Sequence, residues 1–253
     1  MNLLSFFNDM PRDIVKDIIV GLAGSSFTLL TAKIKNSREY SVIRKLISKD
    51  YRIIISGFKD FNGFEPTGLM GMADTMALLE LQKNIKKKNV LQNIRQVGNM
   101  AREDYDKNLI IIGGPDVNEL AEYYLKESGS AITYPKGEGS HMIALHDNIR
   151  NIDYMPSSAG FGDVQSDTGF IINFKIPDSD QLILLIFGCT GLGTQEAMKM
   201  LFSKKLKKEL KKLRSKEYEC IIAVSNDYNY FLHSELLKPR SIIRKKDLKV
   251  SRK

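Results

Sequence analysis

Hydrophobic positions along the chain fall into short aliphatic runs, and several runs pass through glycines before a helical pattern begins. The clearest examples are NLIIIGGPDVNELAEYYL and LILLIFGCTGLGTQEAMKML, in which a buried strand leads into a helix with apolar positions three and four residues apart. Strands that alternate with helices are typical of a mostly parallel sheet with helices on both faces. The pattern therefore predicts an α/β, Rossmann-like domain.

Other segments supply the remaining strands of the predicted sheet. They combine β-branched and aromatic residues, and they are YRIIISGF, AITYP, HMIALH, GFIINFKI and YECIIAVSND. Residues 131–187 contain strand patterns without a helix between them, which indicates an antiparallel hairpin region within the sheet.

Two predicted helices carry broad apolar stripes. The first runs from about Met72 to Lys87, and we expect its stripe to lie in the core, where it comprises Met72, Met76, Leu78, Leu79, Leu81 and Ile85. The second is QEAMKMLFSKKLKKELKKLR, which predicts a helix that covers the sheet through Met198, Leu201, Phe202, Leu206, Leu210 and Leu213. The lysines around this second stripe would also suit an anionic lipid surface.

A hydrophobic segment near the N-terminus raises the question of a membrane. Residues 18–32 are uncharged, several basic residues follow Lys33, and a full span usually needs about 20 residues. Apolar Ile14 and Val15 lengthen the segment. We expect a single N-terminal anchor helix with the globular part on the cytoplasmic face of the inner membrane of a prokaryote. The alternative is a cytoplasmic protein in which residues 18–32 pack in a core.

Length and composition agree with one large domain and two appendages. The chain has 253 residues, 43% of them hydrophobic, which is enough for a substantial core. We expect an anchor and connector over residues 1–49, a ligand-binding α/β domain over residues 50–237 and a basic tail over residues 238–253. The two cysteines form no CxxC pair, so they signal neither a disulfide framework nor a zinc site.

The positive charge is concentrated near the C-terminus. The net charge is +8, and residues 199–253 carry 17 Lys and Arg against 6 Asp and Glu. A solvated lysine face is the simplest interpretation, and an anionic membrane surface is a possible partner. Nucleic acid is a less favoured partner, because aromatic residues are not interleaved with these lysines.

The glycine loops are the strongest candidates for a binding site. Free backbone N–H groups at a helix N-terminus attract anions, and glycine lets the backbone approach a ligand closely. We expect a cradle for a small anionic ligand such as a nucleotide, with Thr194 either capping a helix that begins at Gln195 or contacting the ligand. The predicted contacts are Gly113, Gly114, Asn118, Gly188, Gly191, Gly193 and Thr194, with Ser56, Gly57 and Thr67 on the rim. The alternative is that the glycines only form tight corners.

Catalytic signals are weaker than binding signals. Glu65, in the loop GFEPTG after a predicted strand, is the candidate catalytic carboxylate. Cys189 has no histidine near it in sequence and is expected to be a buried thiol, while His141 and His146 are poorly spaced for one metal ion. We predict no metal site, and the pattern assigns no cofactor. Other acids, such as Asp74, Asp116 and Asp167, are not distinguished by the pattern.

The motifs GGPDVN and GCTGLGTQEA resemble the GGPxxN and GxxGxGTxxA patterns of an α/β module in archaeal S-layer-like proteins and in uncharacterised prokaryotic proteins. The resemblance covers roughly residues 50–230 and implies a Rossmann-like fold more than an activity. The segment DTGFIINFKIPDSD departs from that module, which has tyrosine–glycine and asparagine–proline pairs there.

These observations favour a membrane-tethered domain that binds or senses a small anionic ligand. A hydrolase or glycosyl transferase that acts on a nucleotide is the alternative, and a nucleic-acid-binding protein is a further one.

Overall fold

The computed structural model describes residues 43–56, 71–85, 90–135, 144–158, 164–213, 215–226 and 232–242. All of these belong to one compact unit, Val42–Lys253. The predicted anchor, most of the basic tail, Gly57, Glu65 and Thr67 lie outside the described residues.

Twelve strands form two sheets among the described residues. In chain order they are β1 (Tyr51–Ile55), β2 (Ile94–Gln96), β3 (Asn108–Ile112), β4 (Ile132–Thr133), β5 (Leu145–Asp147), β6 (Ile152–Tyr154), β7 (Ser157–Ser158), β8 (Val164–Lys175), β9 (Leu182–Gly188), β10 (Tyr218–Asn226), β11 (Leu232–Leu236) and β12 (Arg240–Ser241).

Five α-helices accompany them: α1 (Arg44–Ser48), α2 (Met72–Asn84), α3 (Glu119–Glu127), α4 (Gly191–Leu201) and α5 (Lys204–Leu210). Three single-turn 3₁₀ helices, Leu91–Asn93, Val97–Asn99 and Arg102–Asp104, surround β2 and precede β3.

The main sheet is mixed, with strand order β11-β10-β8-β9-β3-β1-β2. Strand β1 pairs in parallel with both β2 and β3, and β3 pairs in parallel with β9. Strand β8 is antiparallel to β9 and to β10, which confirms the predicted hairpin region. Strands β4, β5 and β6 form a separate antiparallel sheet. The predicted α/β class is confirmed.

The aliphatic strands are buried on both faces, because helices or the small sheet cover each side. On one face, Leu109, Ile111 and Leu185 belong to a cluster that also contains Tyr124 of α3 and Leu145 of the small sheet. On the other face, α4 packs on β8 and β9 and contacts α2. Side chains of a strand alternate between faces, so continuous burial requires these two layers.

The stripe predicted for α2 is wrong at three of its six positions. The helix begins at Met72 as predicted, but Met72, Met76 and Leu79 are exposed. Leu81 and Ile85 are buried as predicted, and Ala77 is buried as well. Close packing of α2 against α4 requires small side chains, so alanine takes the inward positions.

The long helix predicted from Gln195 onwards is two helices. Helix α4 ends at Leu201, and Ser203 accepts a hydrogen bond from the Leu206 amide to begin α5. The predicted covering role is confirmed for α4, in which Met198 and Leu201 are buried. The predicted first residue of this helix is also wrong, since α4 begins at Gly191 and its N-cap is Thr190 in place of Thr194.

A buried ion network joins the two sheets. Arg240 of β12 contacts Asp147 of β5 and Glu219 of β10, and Glu219 also accepts hydrogen bonds from Ser130 and from the Ala131 amide. The network fixes the small sheet against the edge of the main sheet.

Within the described ranges, no helix combines the length and the apolar character that crossing a bilayer requires.

Candidate functional site

A cavity of about 370 Å³ opens at the carboxyl ends of β1, β3 and β9. Residues at the ends of three neighbouring strands line the cavity: Ser56 follows β1, Gly114 lies after β3 and Gly188 ends β9. The first turn of α2 and the first turn of α4 complete the wall, which is lined by Ser56, Gly71, Met72, Ala73, Asp74, Gly114, Asp116, Val117, Gly188, Cys189, Thr190, Gly191 and Thr194.

Asp74 places a buried carboxyl group in this wall. The Ser56 hydroxyl donates a hydrogen bond of 2.9 Å to Asp74 Oδ2. Burial raises the pKa of Asp74, and the hydrogen bond from Ser56 partly offsets this effect. Gly113 makes room for the pair: its φ is +107°, and a Cβ there would lie 2.9 Å from Ser56 Oγ.

A second carboxyl group, that of Asp116, lines the same cavity. Desolvation raises the pKa of Asp116, and the negative charge of Asp74 raises it further. Cys189 is buried nearby, and its desolvation together with the charges of Asp167 and Asp116 raises its thiol pKa. A thiol held neutral in this way is a poor nucleophile, which agrees with the structural role expected from the sequence.

The N-terminus of α4 is occupied by a side chain of the protein itself. Asp167, near the start of β8, is 3% exposed and accepts hydrogen bonds from Thr190 Oγ1 and Gly193 N, both at 2.5 Å. It also accepts from the amides of Thr168 at 2.7 Å and Thr190 at 3.2 Å. Its carboxylate thus sits where helix N–H groups would otherwise bind an external anion.

The glycines of this loop are required by close packing. A Cβ on Gly188 would lie 2.5 Å from Thr190 O and from Thr194 N, and a Cβ on Gly193 would lie 2.5 Å from Thr168 O. A Cβ on Gly191 would overlap Ala73 of α2. Glycine therefore allows α4 to approach both β8 and α2, whatever ligand the cavity holds.

The N-terminus of α3 is capped internally as well. Asn118 is fully buried, and its Oδ1 accepts from Leu120 N and Ala121 N at 3.1 Å each. Its Nδ2 donates to Ile112 O at 3.3 Å, which ties the helix start to the end of β3.

The two glycine loops lie side by side, as an anion shared by two helix ends would require. Of the predicted contacts, the cavity wall contains Ser56, Gly114, Gly188, Gly191 and Thr194. Gly113, Asn118 and Gly193 lie behind the wall, and their contacts are with the protein interior. That any of these residues contacts a ligand stays a prediction.

The sequence pattern does not distinguish Asp74, Thr190 or Asp167 from other polar residues. The signal that distinguishes them is burial of a carboxyl group beside a hydroxyl donor, which depends on partners 18 and 23 residues away in the chain. Across the part of the chain that the structure describes, no group of three or more His, Cys, Asp or Glu side chains could hold a metal ion.

Comparisons with known proteins identify no family for this chain. No protein-family model, no curated protein and no solved structure matches this chain significantly.

Proposed function

We propose that the α/β domain binds a small metabolite in the cavity at the carboxyl ends of β1, β3 and β9 and acts as a ligand sensor. The observation that carries the proposal is Asp74, a buried carboxyl group in the cavity wall with a raised pKa. Burial of an ionisable group costs free energy, so such groups are concentrated at binding and catalytic sites. The location agrees with the rule that open α/β sheets bind ligands beyond their carboxyl ends.

The shape and chemistry of the cavity favour a nucleoside or a nucleotide as the ligand. The volume of about 370 Å³ lies in the range typical of small-molecule sites. Met72 and Val117 are exposed at the cavity and offer an apolar surface to a flat ring, while Ser56 and Asp74 offer polar groups to ribose hydroxyls.

Binding is tested by titrating the full-length protein with nucleosides and nucleotides and measuring the melting temperature and the heat of binding. A ligand at 100 times its Kd stabilises the folded state by about 2.7 kcal/mol. Val117→Trp adds bulk at an exposed position of the cavity wall and should abolish this stabilisation. Asp180→Asn changes an exposed acid in the turn before β9, so this control should bind as the wild type does. Equal binding by the Val117→Trp protein would exclude the cavity as the site.

We further propose that residues 18–32 tether this domain to the membrane. Arg44 and Lys45 are exposed on α1, within the predicted connector. Lys45 lies beside Lys216, whose hydrogen bond and positive charge lower the pKa of Lys45. A cluster of cations at this position would suit an anionic membrane surface.

A nucleotide hydrolase or glycosyl transferase is the second candidate function. It is favoured by the raised pKa values of two carboxyl groups, Asp74 and Asp116, in one cavity, because a protonated acid beside an ionised one is the arrangement that acid–base catalysis uses. If a nucleotide-cleaving activity is found, Asp74→Asn should remove it while the fold is retained. Glu65→Gln tests the carboxylate predicted from sequence, and loss of activity in that variant alone would assign the chemistry to Glu65.

A further inference from the structure

The hydroxyl groups of the cavity wall already donate their protons to the protein. Ser56 donates to Asp74 at 2.9 Å, Thr190 donates to Asp167 at 2.5 Å, and Thr194 donates to Thr190 O at 3.4 Å. A hydroxyl group has one proton to donate and two lone pairs to accept with. What these side chains can still offer a ligand is therefore hydrogen-bond acceptors.

Four amides at the N-terminus of α4, which forms the inner end of the cavity, also donate to groups of the protein itself. Gly193 N and Thr190 N donate to Asp167, Leu192 N donates to Thr190 Oγ1 at 3.2 Å, and Cys189 N donates to Thr168 O at 2.9 Å. These are the groups that would hold a phosphate at the N-terminus of α4 if they were free.

The ionisable side chains described in the cavity wall include acids and no bases. Among the described residues that line the cavity, Asp74 and Asp116 are acidic and none is Lys, Arg or His. The Asp167 carboxylate lies directly behind Thr190 and Gly193. A phosphate or carboxylate brought to the N-terminus of α4 would meet negative charge, and the Thr190 and Gly193 amides there already donate to Asp167.

We propose that the cavity selects a ligand rich in hydrogen-bond donors and without a phosphate or carboxylate at its inner end, and that Asp167 enforces this selection by occupying the anion position of α4. The inference rests on the proposed function and refines it: within that class, the nucleoside is selected over the nucleotide. It replaces the anionic ligand expected at the start of α4, because Asp167 already accepts from the Thr190 and Gly193 amides of that glycine loop.

Matched ligands test the selection directly. Adenosine and adenosine 5′-monophosphate, and inosine with its monophosphate, are titrated into the full-length protein at constant ionic strength. Wild type should bind the nucleoside at least roughly tenfold more tightly than its monophosphate, because like charges repel strongly in a partly buried site. Tighter binding of either monophosphate would overturn the proposal. If neither pair binds, a nucleoside is not the ligand, and the phosphate experiment then tests Asp167 independently.

Inorganic phosphate is the probe for the role of Asp167. Replacing chloride by phosphate at matched ionic strength should leave the melting temperature of wild type unchanged and should broaden no ³¹P resonance. Asp167→Ala vacates the anion position and should gain phosphate-dependent stabilisation. Asp167→Asn keeps the position filled and should not gain phosphate-dependent stabilisation. The two variants together distinguish the effect of filling the position from the effect of its negative charge.

A control separates Asp167 from the general negative potential of the cavity. Asp74→Asn removes one charge but leaves the end of α4 filled, so phosphate should still fail to bind. Phosphate binding by wild type, or equal binding by Asp74→Asn and Asp167→Ala, would contradict the assignment. Should Asp167→Ala fail to fold, the wild-type phosphate measurement and the Asp167→Asn protein still decide the case, since phosphate binding by either one excludes occupancy as the cause.

Discussion

Arg240 holds Asp147 through two parallel hydrogen bonds, of 2.9 and 2.8 Å, although the residues are 93 positions apart in the chain. The same guanidinium contacts Glu219, so one cation serves two buried carboxylates. Burial alone would raise the pKa of Asp147, but the hydrogen bonds from Arg240 and from the Arg150 and Ile149 amides hold it below its usual value. This network joins β12, β10 and the small sheet.

Removal of the cation should destabilise the fold strongly. Arg240→Met removes the cation from buried Glu219 and leaves Asp147 with only the more distant Arg150, at 4.0 Å. The free energy of unfolding should therefore fall by about 3–5 kcal/mol in urea titrations. Arg102→Met, at an exposed position, is the matched control and should stay within about 0.5 kcal/mol of wild type.

The sign of the pH dependence follows from the lowered pKa of Asp147. Its pairing stabilises the folded state above the unfolded pKa, near 3.8, and this contribution is lost as the pH falls through the lower folded value. The difference in the free energy of unfolding between wild type and Arg240→Met should therefore become smaller only in strong acid. A difference that disappears already near neutral pH would contradict this account.

Asp74→Asn should stabilise the protein at neutral pH. The folded pKa of Asp74 is raised, so ionisation above the unfolded pKa of 3.8 works against folding, and the amide avoids that cost while it still accepts from Ser56. The melting temperature should rise by roughly 2–4 °C per kcal/mol recovered. The gain should shrink as the pH is lowered towards 4. Equal stability of the variant and wild type from pH 5 to 8 would contradict a folded pKa of Asp74 above the unfolded value.

Gly113→Ala should lower stability by about 1–2 kcal/mol or more. The backbone at Gly113 has φ +107°, which L-residues rarely adopt, and the new Cβ would press on Ser56 Oγ. Gly98 has no atom within 4 Å of the Cβ position, so Gly98→Ala is the matched control and should be nearly neutral. Chemical denaturation of both proteins measures the difference, and equal values would contradict the requirement for glycine at position 113.

The membrane proposal predicts that the full chain sediments with membranes and resists extraction by high salt. Apolar burial is not screened by salt, whereas attachment through lysines alone would be released. Deletion of residues 1–33 should release the protein. Recovery of the intact chain in the soluble fraction would exclude the tether.

The pattern of aliphatic runs was sufficient to predict the main strands and the glycine loops that follow two of them and contribute to the cavity wall. Strands such as β3 and β9 are buried on both faces, so apart from Asn108 at the start of β3 they form continuous apolar runs. Their following loops meet at one edge because the two strands are parallel neighbours.

The predictions that were wrong concern features that depend on contacts between segments distant in the chain. Thr190 caps α4 in place of Thr194 because Asp167 of β8 binds the first turn. Periodicity alone could not show that α2 turns Ala77 inward and Met76 outward, because the spacing is helical for either face. For the same reason, no pattern separated Asp74 from the many other acids of the chain.

The last parallel strand, β2, has only three residues and lies between two single-turn 3₁₀ helices. An open sheet edge presents unpaired backbone groups that can recruit a strand of another molecule. Here the turns on either side interrupt the extended backbone after three residues, so an incoming strand could form only a few ladder hydrogen bonds. At this edge of the sheet, as the described residues form it, the short strand limits edge-to-edge aggregation, although the next two strands, β1 and β3, are strongly hydrophobic.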